Sequence, residues 1–468
     1  MYQEQIKAFF SAHRAEITAD IAALVRVRSD RGEAAPGAPF GPGPRAALDR
    51  FLEIAGGMGF AVRNYDGYVG AVDLQAGPAQ LDILAHLDVV PEADDWTVCK
   101  PFEPVERDGM LYGRGAADDK GPAVAALWAM RCVKELGVPL PKNVRLIAGT
   151  DEECGSSDLA YYYQKERPAP MTFSPDADFP VINIEKGGLR AHITAEFAPA
   201  QALPRLTAFH SGFKVNVVPD TAEALVAGLR AEAAQPVCDA LAAKTGLTFR
   251  LAETAAGLRI TAAGTGAHAA CPEAGNNALT GLLALAAALP LADCDGSRKL
   301  RALSELFPHG DYLGKALGVA QADELSGPLT ISLNMLDVSE TGLNACFDCR
   351  APLCANDGNM RQVTARRCAA AGLALEDAPM YPPHHVPADS PLVRTLLDIY
   401  ERYTGRKGAA LSTGGGTYVH DLENGVAFGC AMPGVDTHMH GADERVILDD
   451  LLLAGAMFAQ AILELCGA

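Results

Sequence analysis

The chain has 468 residues, of which 49% are apolar and 21% charged, and it carries a net charge of −19. Such an apolar share can fill the cores of more than one domain and excludes an intrinsically disordered chain. The surplus of acids argues against nucleic acid and anionic membrane surfaces as partners.

In chain order, the segment from Tyr2 to about Val27 reads as an amphipathic helix, with Phe9, Ile17, Ile21, Leu24 and Val25 on one side. Its charges, among them Glu4, Lys7, Arg14 and Asp20, leave no apolar core of signal-peptide type. A Gly/Pro-rich loop follows from Gly32 to Pro44, then a helix from about Arg45 to Met58. Leu81–Val90 is a near-continuous apolar run, as expected of a strand buried on both faces. Pro122 to Leu136 is a predicted helix, with Pro122 suited to its first turn and Gly137 to its stop. Val144–Gly149 is a second buried strand. This alternation predicts an α/β domain with a mostly parallel sheet and flanking helices.

The pattern changes after Gly187-Gly188. Leu189–Phe197 and Gly257–Ala263 alternate like half-exposed strands, and Leu329–Leu336 and Leu343–Arg350 are further strands. Helices are expected over Thr221–Ala234 and Asn277–Leu289. From Pro391 the helix–strand style of the opening resumes. The simplest organisation is a discontinuous domain, residues 1–186 and 384–468, interrupted by an inserted α+β domain, residues 187–383, with an antiparallel sheet.

The greasiest stretch, Leu279 to Leu291, is short and broken by Pro290, so it reads as a buried helix rather than a membrane span. Twelve cysteines without a disulfide rhythm suggest reduced thiols and a cytoplasmic location. Cys346 and Cys349 form a CxxC pair, but they fall in a strand with no second pair to complete a zinc site.

Five short segments carry chemistry. His86 and Asp88 are two apart at the end of the first buried strand, where a carboxylate can orient a metal-binding imidazole. Gly113-Arg114-Gly115-Ala116-Ala117-Asp118-Asp119-Lys120-Gly121 places adjacent acids in a glycine-rich loop entering a helix, which suits a cation better than phosphate. Asp151-Glu152-Glu153 follows the second buried strand, at the end of the sheet where open α/β folds place their sites. Pro175-Asp176 is a stiff turn presenting another acid, and His438-Met439-His440 precedes Glu444 near the C-terminus. Taken singly, His86 with Asp88 also reads as a strand-end histidine with a polar neighbour, and each of the others as a solvated polar turn. Together they supply imidazoles and carboxylates fit for two divalent ions bridged by a carboxylate, about 3.5–4 Å apart. Such mixed ligands suit zinc, with manganese or cobalt as alternatives.

The order His-x-Asp, GRGxxDxKG, Asp-Glu-Glu, Pro-Asp and a late His-x-x-x-Glu resembles the M20 metallopeptidases over nearly the whole chain. Gly187-Gly188, Asn216-Val217-Val218-Pro219-Asp220 and Gly414-Gly415-Gly416-Thr417-Tyr418 resemble the PepV-type dipeptidases, relatives of the carnosinases. The resemblance implies that Asp118 bridges two metal ions, with His86 and Asp176 completing one site and Glu153 and His440 the other. It makes Glu152 the general base and gives Asp88 the task of steadying His86. The inserted domain would be the lid of a di-metal catalytic domain. In it, His268 would polarise the scissile carbonyl, and Asn216 and Arg350 would hold the substrate, Arg350 by its carboxylate.

The expected activity is hydrolysis of unblocked dipeptides. Deacylation or desuccinylation of N-acyl amino acids on the same fold is the alternative, and a non-catalytic binding protein would have a broken ligand set. An enlarged lid of the PepV kind supplies its histidine within one chain, which implies a monomer. His384-His385 reads as linker, and His210 has no assigned role.

Overall fold

The computed structural model describes residues 2–93 and 95–467. The chain forms two compact units. The first comprises Met1–Ile184, His384–Leu411 and Gly416–Ala468, and the second Glu185–Pro383 together with Ser412–Gly415.

The first unit is built on one sheet whose strand order is Ala61–Tyr65, Val69–Asp73, Asn143–Gly149, Ala79–His86, Met171–Ser174, Gly425–Ala427, Val181–Glu185, His384–His385. The four middle strands, from Asn143–Gly149 to Gly425–Ala427, run parallel. The strands flanking them are antiparallel. Residues 81–86 are buried on both faces, which accounts for their unbroken apolar run. The predicted strand to Val90 stops at His86, because the chain turns there to bring Ser29, Leu87 and Gly149 together through hydrogen bonds.

The helix Lys120–Leu136 covers the parallel strands and is buried along most of its length, from Lys120 to Met130. It opens two residues before the expected start, leaving Pro122 in the first turn where no N–H is needed, and Gly137 closes it at φ 64°. It packs against the C-terminal helix Leu448–Cys466. The opening segment is two helices, Gln3–Ala12 and Arg14–Val25, broken at His13 rather than one continuous helix.

The second unit carries an eight-stranded, wholly antiparallel sheet in the order Thr248–Thr254, Gly257–Ala263, Thr221–Ala227, Arg205–Ser211, Thr330–Val338, Gly342–Ala351, Gly187–Glu196, Ala374–Leu375. Helices Ala278–Ala288 and Asp295–Leu306 supply much of its separate core. Thr221–Ala227 corrects the expected helix. Ala222, Ala224 and Val226 are buried with exposed or half-buried neighbours between them, the period of a strand. The helix begins only at Ala231. The Ala/Leu-rich composition favours helix, but pairing on both sides with Arg205–Ser211 and Gly257–Ala263 overrides it.

Cys346 and Cys349 lie in the strand Gly342–Ala351, and all twelve cysteines are free. His384 is buried, its Nε2 2.7 Å from the carbonyl of Gly425, so it serves packing at the sheet edge. His210 is an exposed strand residue with Nδ1 2.6 Å from Asp337 Oδ1 on the neighbouring strand. No helix of the described residues is long and apolar enough to cross a membrane.

Candidate metal centre

Three of the parallel strands end at one edge of the first unit's sheet, and each delivers an acidic loop there. The strand ending in His86 leads to Asp88, the strand ending in Gly149 leads to Glu152 and Glu153, and the strand ending in Ser174 leads to Asp176. Ligand sites of α/β sheets lie beyond the carboxyl ends of their strands for this reason. The turn before helix Lys120–Leu136 adds Asp118, and the loop before strand Arg445–Ile447 adds His440.

The structure brings these side chains into two groups that share Asp118. His86 Nε2 is 2.9 Å from Asp118 Oδ1 and 3.5 Å from Asp176 Oδ2. His440 Nε2 is 2.9 Å from Asp118 Oδ2 and 3.1 Å from Glu153 Oε1. Asp118 thus gives one oxygen to each group. In each trio the ligand atoms all lie within 4.8 Å of one another. Of the two neighbouring histidines, His440 joins the cluster, while His438 stands outside it beside Asp436.

Electrostatics point to missing positive charge. Burial, then the charge of Asp118, raises the pKa of both Glu153 and Asp176. Burial also pushes Glu152 well up. It opposes the charged form of both histidines too, but hydrogen bonds to the carboxylates outweigh it and raise them, His440 to about 10. Asp118 is likewise penalised by burial, yet bonds from His440 and His86 hold it low. Protonated imidazoles are therefore the counter-charge available within the protein. Glu153 Oε1 is buried and, despite its proximity to His440, has no aligned hydrogen bond. An oxygen in that state, inside a cluster of imidazole and carboxylate donors, fits a divalent cation.

Asp88 reaches His86 through its main-chain carbonyl, 3.0 Å from Nδ1, rather than through its carboxylate, which lies 3.5 Å away. The contact fixes the proton on Nδ1 and turns Nε2 toward Asp118 and Asp176. The Asp88 carboxylate instead accepts the backbone N–H groups of Glu152 and Glu153, at 3.2 and 3.1 Å. It therefore aims the loop that carries the acids. The Glu152 carboxylate is in neither trio but lies among the charges of His86, Asp176, Glu153 and Asp118.

Two supports have roles that the sequence does not announce, although the motif itself includes one of them, Glu444. Buried Asp158 accepts the N–H groups of Thr150 and Asp151, at 2.6 and 3.0 Å, and the hydroxyl of Tyr418 at 2.5 Å. Burial raises its pKa to about 6. Gly149 has no room for a side chain, because a Cβ there would collide with that hydroxyl. The signal available was an acid in the first turn of helix Ser157–Tyr162, an ordinary place for a carboxylate beside the positive end of the helix dipole. Glu444 is the other support: fully buried, it accepts N–H groups of the turn that carries Asp118.

The remaining predicted residues belong to the second unit. There Val217–Val218 pairs with Ala267–His268, which sets Asn216 beside His268 at one end of a short ladder. His268 Nδ1 accepts the N–H of Ala270 at 3.2 Å, which places the proton of the neutral ring on Nε2. Asn216 Oδ1 is buried without a hydrogen bond. Arg350 is held by Asp348 at 2.7 and 3.1 Å and donates to the Gly414 carbonyl at 2.5 Å.

Residues 83–464 match the model of peptidase family M20/M25/M40. The chain is 38% identical over 455 residues to "Putative dipeptidase YtjP" of Bacillus subtilis (strain 168), covering 96% of this chain and 97% of that one. It is 34% identical over 466 residues to Beta-Ala-Xaa dipeptidase of Lactobacillus delbrueckii subsp. lactis, covering 98% of each. Among solved structures, human carnosine dipeptidase 1 shares the fold at a TM-score of 0.61 and 15% identity, over 100% of this chain and 99% of that one. The family match spans most of the chain and includes all five residues of the two ligand trios, and both curated relatives align along nearly their whole length: the chain belongs to peptidase family M20/M25/M40.

Proposed function

We propose that the chain is a metal-dependent dipeptidase that hydrolyses the amide bond of unblocked dipeptides, those with an N-terminal β-alanine among them. One observation carries this reading. Two trios of candidate ligands share Asp118, and the carboxylate of Glu152, adjacent in sequence to Glu153 but in neither trio, lies among the charges of His86, Asp176, Glu153 and Asp118. The similarity along 98% of the chain to a relative named for β-Ala-Xaa substrates supports the substrate class.

His86, Asp118 and Asp176 would hold one divalent ion, and Asp118, Glu153 and His440 the other. Zinc suits the donor set, with manganese or cobalt as alternatives. When bound, the pair supplies Lewis acidity, lowering the pKa of water to about 7 and polarising a carbonyl. Glu152 takes the proton of the attacking water and delivers it to the departing amine. Asp88 holds Glu152 to that task through the loop backbone. On the second unit, the lid in this reading, His268 offers Nε2–H to the developing oxyanion. Asn216 and Arg350 bind the substrate, Arg350 at its carboxylate, while Asp348 fixes the guanidinium plane.

A hydrolysis screen with zinc, manganese and cobalt tests the reaction. Free dipeptides should be cleaved, while N-acetylated and N-succinylated amino acids should remain intact. Cleavage confined to the acylated compounds would make the protein a deacylase. Because the enlarged inserted segment supplies His268 within one chain, the protein should act as a monomer, its partner the small substrate alone, and its twelve free cysteines suit the cytoplasm. Light scattering should return the mass of one chain, and an obligate dimer would contradict this.

A further inference from the structure

Arg114 and Glu444 form a buried ion pair that the proposed chemistry does not use. Both side chains are about 1% exposed. Glu444 Oε2 accepts from Arg114 Nη1 at 2.6 Å. Its other oxygen, Oε1, accepts three backbone N–H groups at once, from Gly115, Ala117 and Asp118, at 2.9, 3.0 and 3.2 Å. Three donors can converge on one oxygen only if the backbone from 115 to 118 is curled around it. Gly115 permits the curl, at φ 86°, a conformation other residues rarely adopt, and a Cβ there would crowd the side chains of Lys120 and Val89. Arg114 meanwhile donates from Nη2 to the main-chain carbonyl of His440, at 3.1 Å. His440 itself sits at φ 64°, a left-handed conformation uncommon for a residue with a side chain.

One ion pair therefore grips both the turn that aims Asp118 and the backbone that aims His440. A buried pair of this kind contributes little net stability over an apolar pair of the same size. Its geometric product is the fixed relation between two loops that are more than 300 residues apart in sequence. We infer that Arg114 and Glu444 are positioning residues that set the separation of Asp118 and His440 and so tune the affinity of the site formed by Asp118, Glu153 and His440. The inference rests on the two-ion reading of that cluster.

The test is metal binding by the full-length chain, stripped with a chelator and titrated with zinc alone against a chromophoric competitor. The wild-type chain should bind two ions. In Glu444→Gln, an amide nitrogen faces Arg114 and the pair is broken. At least one ion should then bind about 10–100-fold more weakly, the range seen when groups that orient metal ligands are removed. Arg114→Lys keeps the charge but loses the fork that reaches His440, so it should show the same loss, and it carries the test if Glu444→Gln does not fold. The control is Asp82→Asn, which breaks a buried pair of like chemistry, Arg145–Asp82 at 2.8 Å, in the same unit. It should lower the melting temperature while leaving both zinc affinities within about twofold of the wild type. Folded Arg114 and Glu444 variants that bind both ions as the wild type does would overturn the inference and leave the two-ion reading intact. A wild-type chain that binds fewer than two ions would overturn both.

Discussion

Glu152→Gln should lower turnover of a dipeptide by about 10²–10⁴-fold, the contribution of a positioned general base, while the chain keeps its full metal content. The separation of the two effects follows from the geometry. Glu153, not Glu152, lies in a ligand trio. Glu152 is attached to the site through its backbone N–H, which Asp88 accepts, and that bond survives any side-chain change. Glutamine also preserves the size of the side chain, so the loop has no reason to move. Its amide cannot take a proton from water, and the charge lost with the carboxylate is not that of a residue in either trio. Metal analysis beside steady-state kinetics checks the result. Turnover near the wild-type value would remove Glu152 from the reaction. Loss of metal together with turnover would make it a ligand instead.

Asp118→Asn should strike both ions. Asp118 directs Oδ1 toward His86 and Oδ2 toward His440. An asparagine has one oxygen to offer, and its amide nitrogen is not a ligand, so one trio must lose a member. The lost charge weakens the other. Zinc affinity at one site or both should fall more than about 100-fold, beyond what changes in groups around the ligands cost. The bound count should drop from two to one or none, and hydrolysis with it. Two ions held at wild-type affinity would show that Asp118 does not bridge.

Much of this site was legible because parallel strands end in loops whose residues cannot hide their chemistry. Asp118, Glu153, Asp176 and His440 each stand in a short polar run that an apolar core would not tolerate, His86 ends a buried apolar strand two residues before Asp88, and the structure gathers all five. What stayed hidden depends on distance in space rather than on residue type. Asp158 looks like any acid in the first turn of a helix, and only the fold brings Tyr418 to it. Glu444 could be noticed from its spacing to His440, but its three backbone partners lie more than 300 residues earlier. The spacing sets Asp88 near His86, yet no spacing rule says that its carbonyl would take the imidazole and its carboxylate the Glu152 loop. Thr221–Ala227 shows the opposite failure. There the composition spoke for helix, and the alternate burial of Ala222, Ala224 and Val226 was too weak in side-chain size to announce a strand.

A pair of divalent ions on these five residues should make the chain a dipeptidase, and the most direct measurement is reconstitution of the metal-stripped chain, adding zinc, manganese or cobalt stepwise while following release of amino acids from a free β-alanyl dipeptide. The stripped chain should be inactive, and hydrolysis should rise with added metal and level off at two ions per chain. Undiminished hydrolysis by the stripped chain, or no hydrolysis of any free dipeptide once two ions are bound, would contradict it.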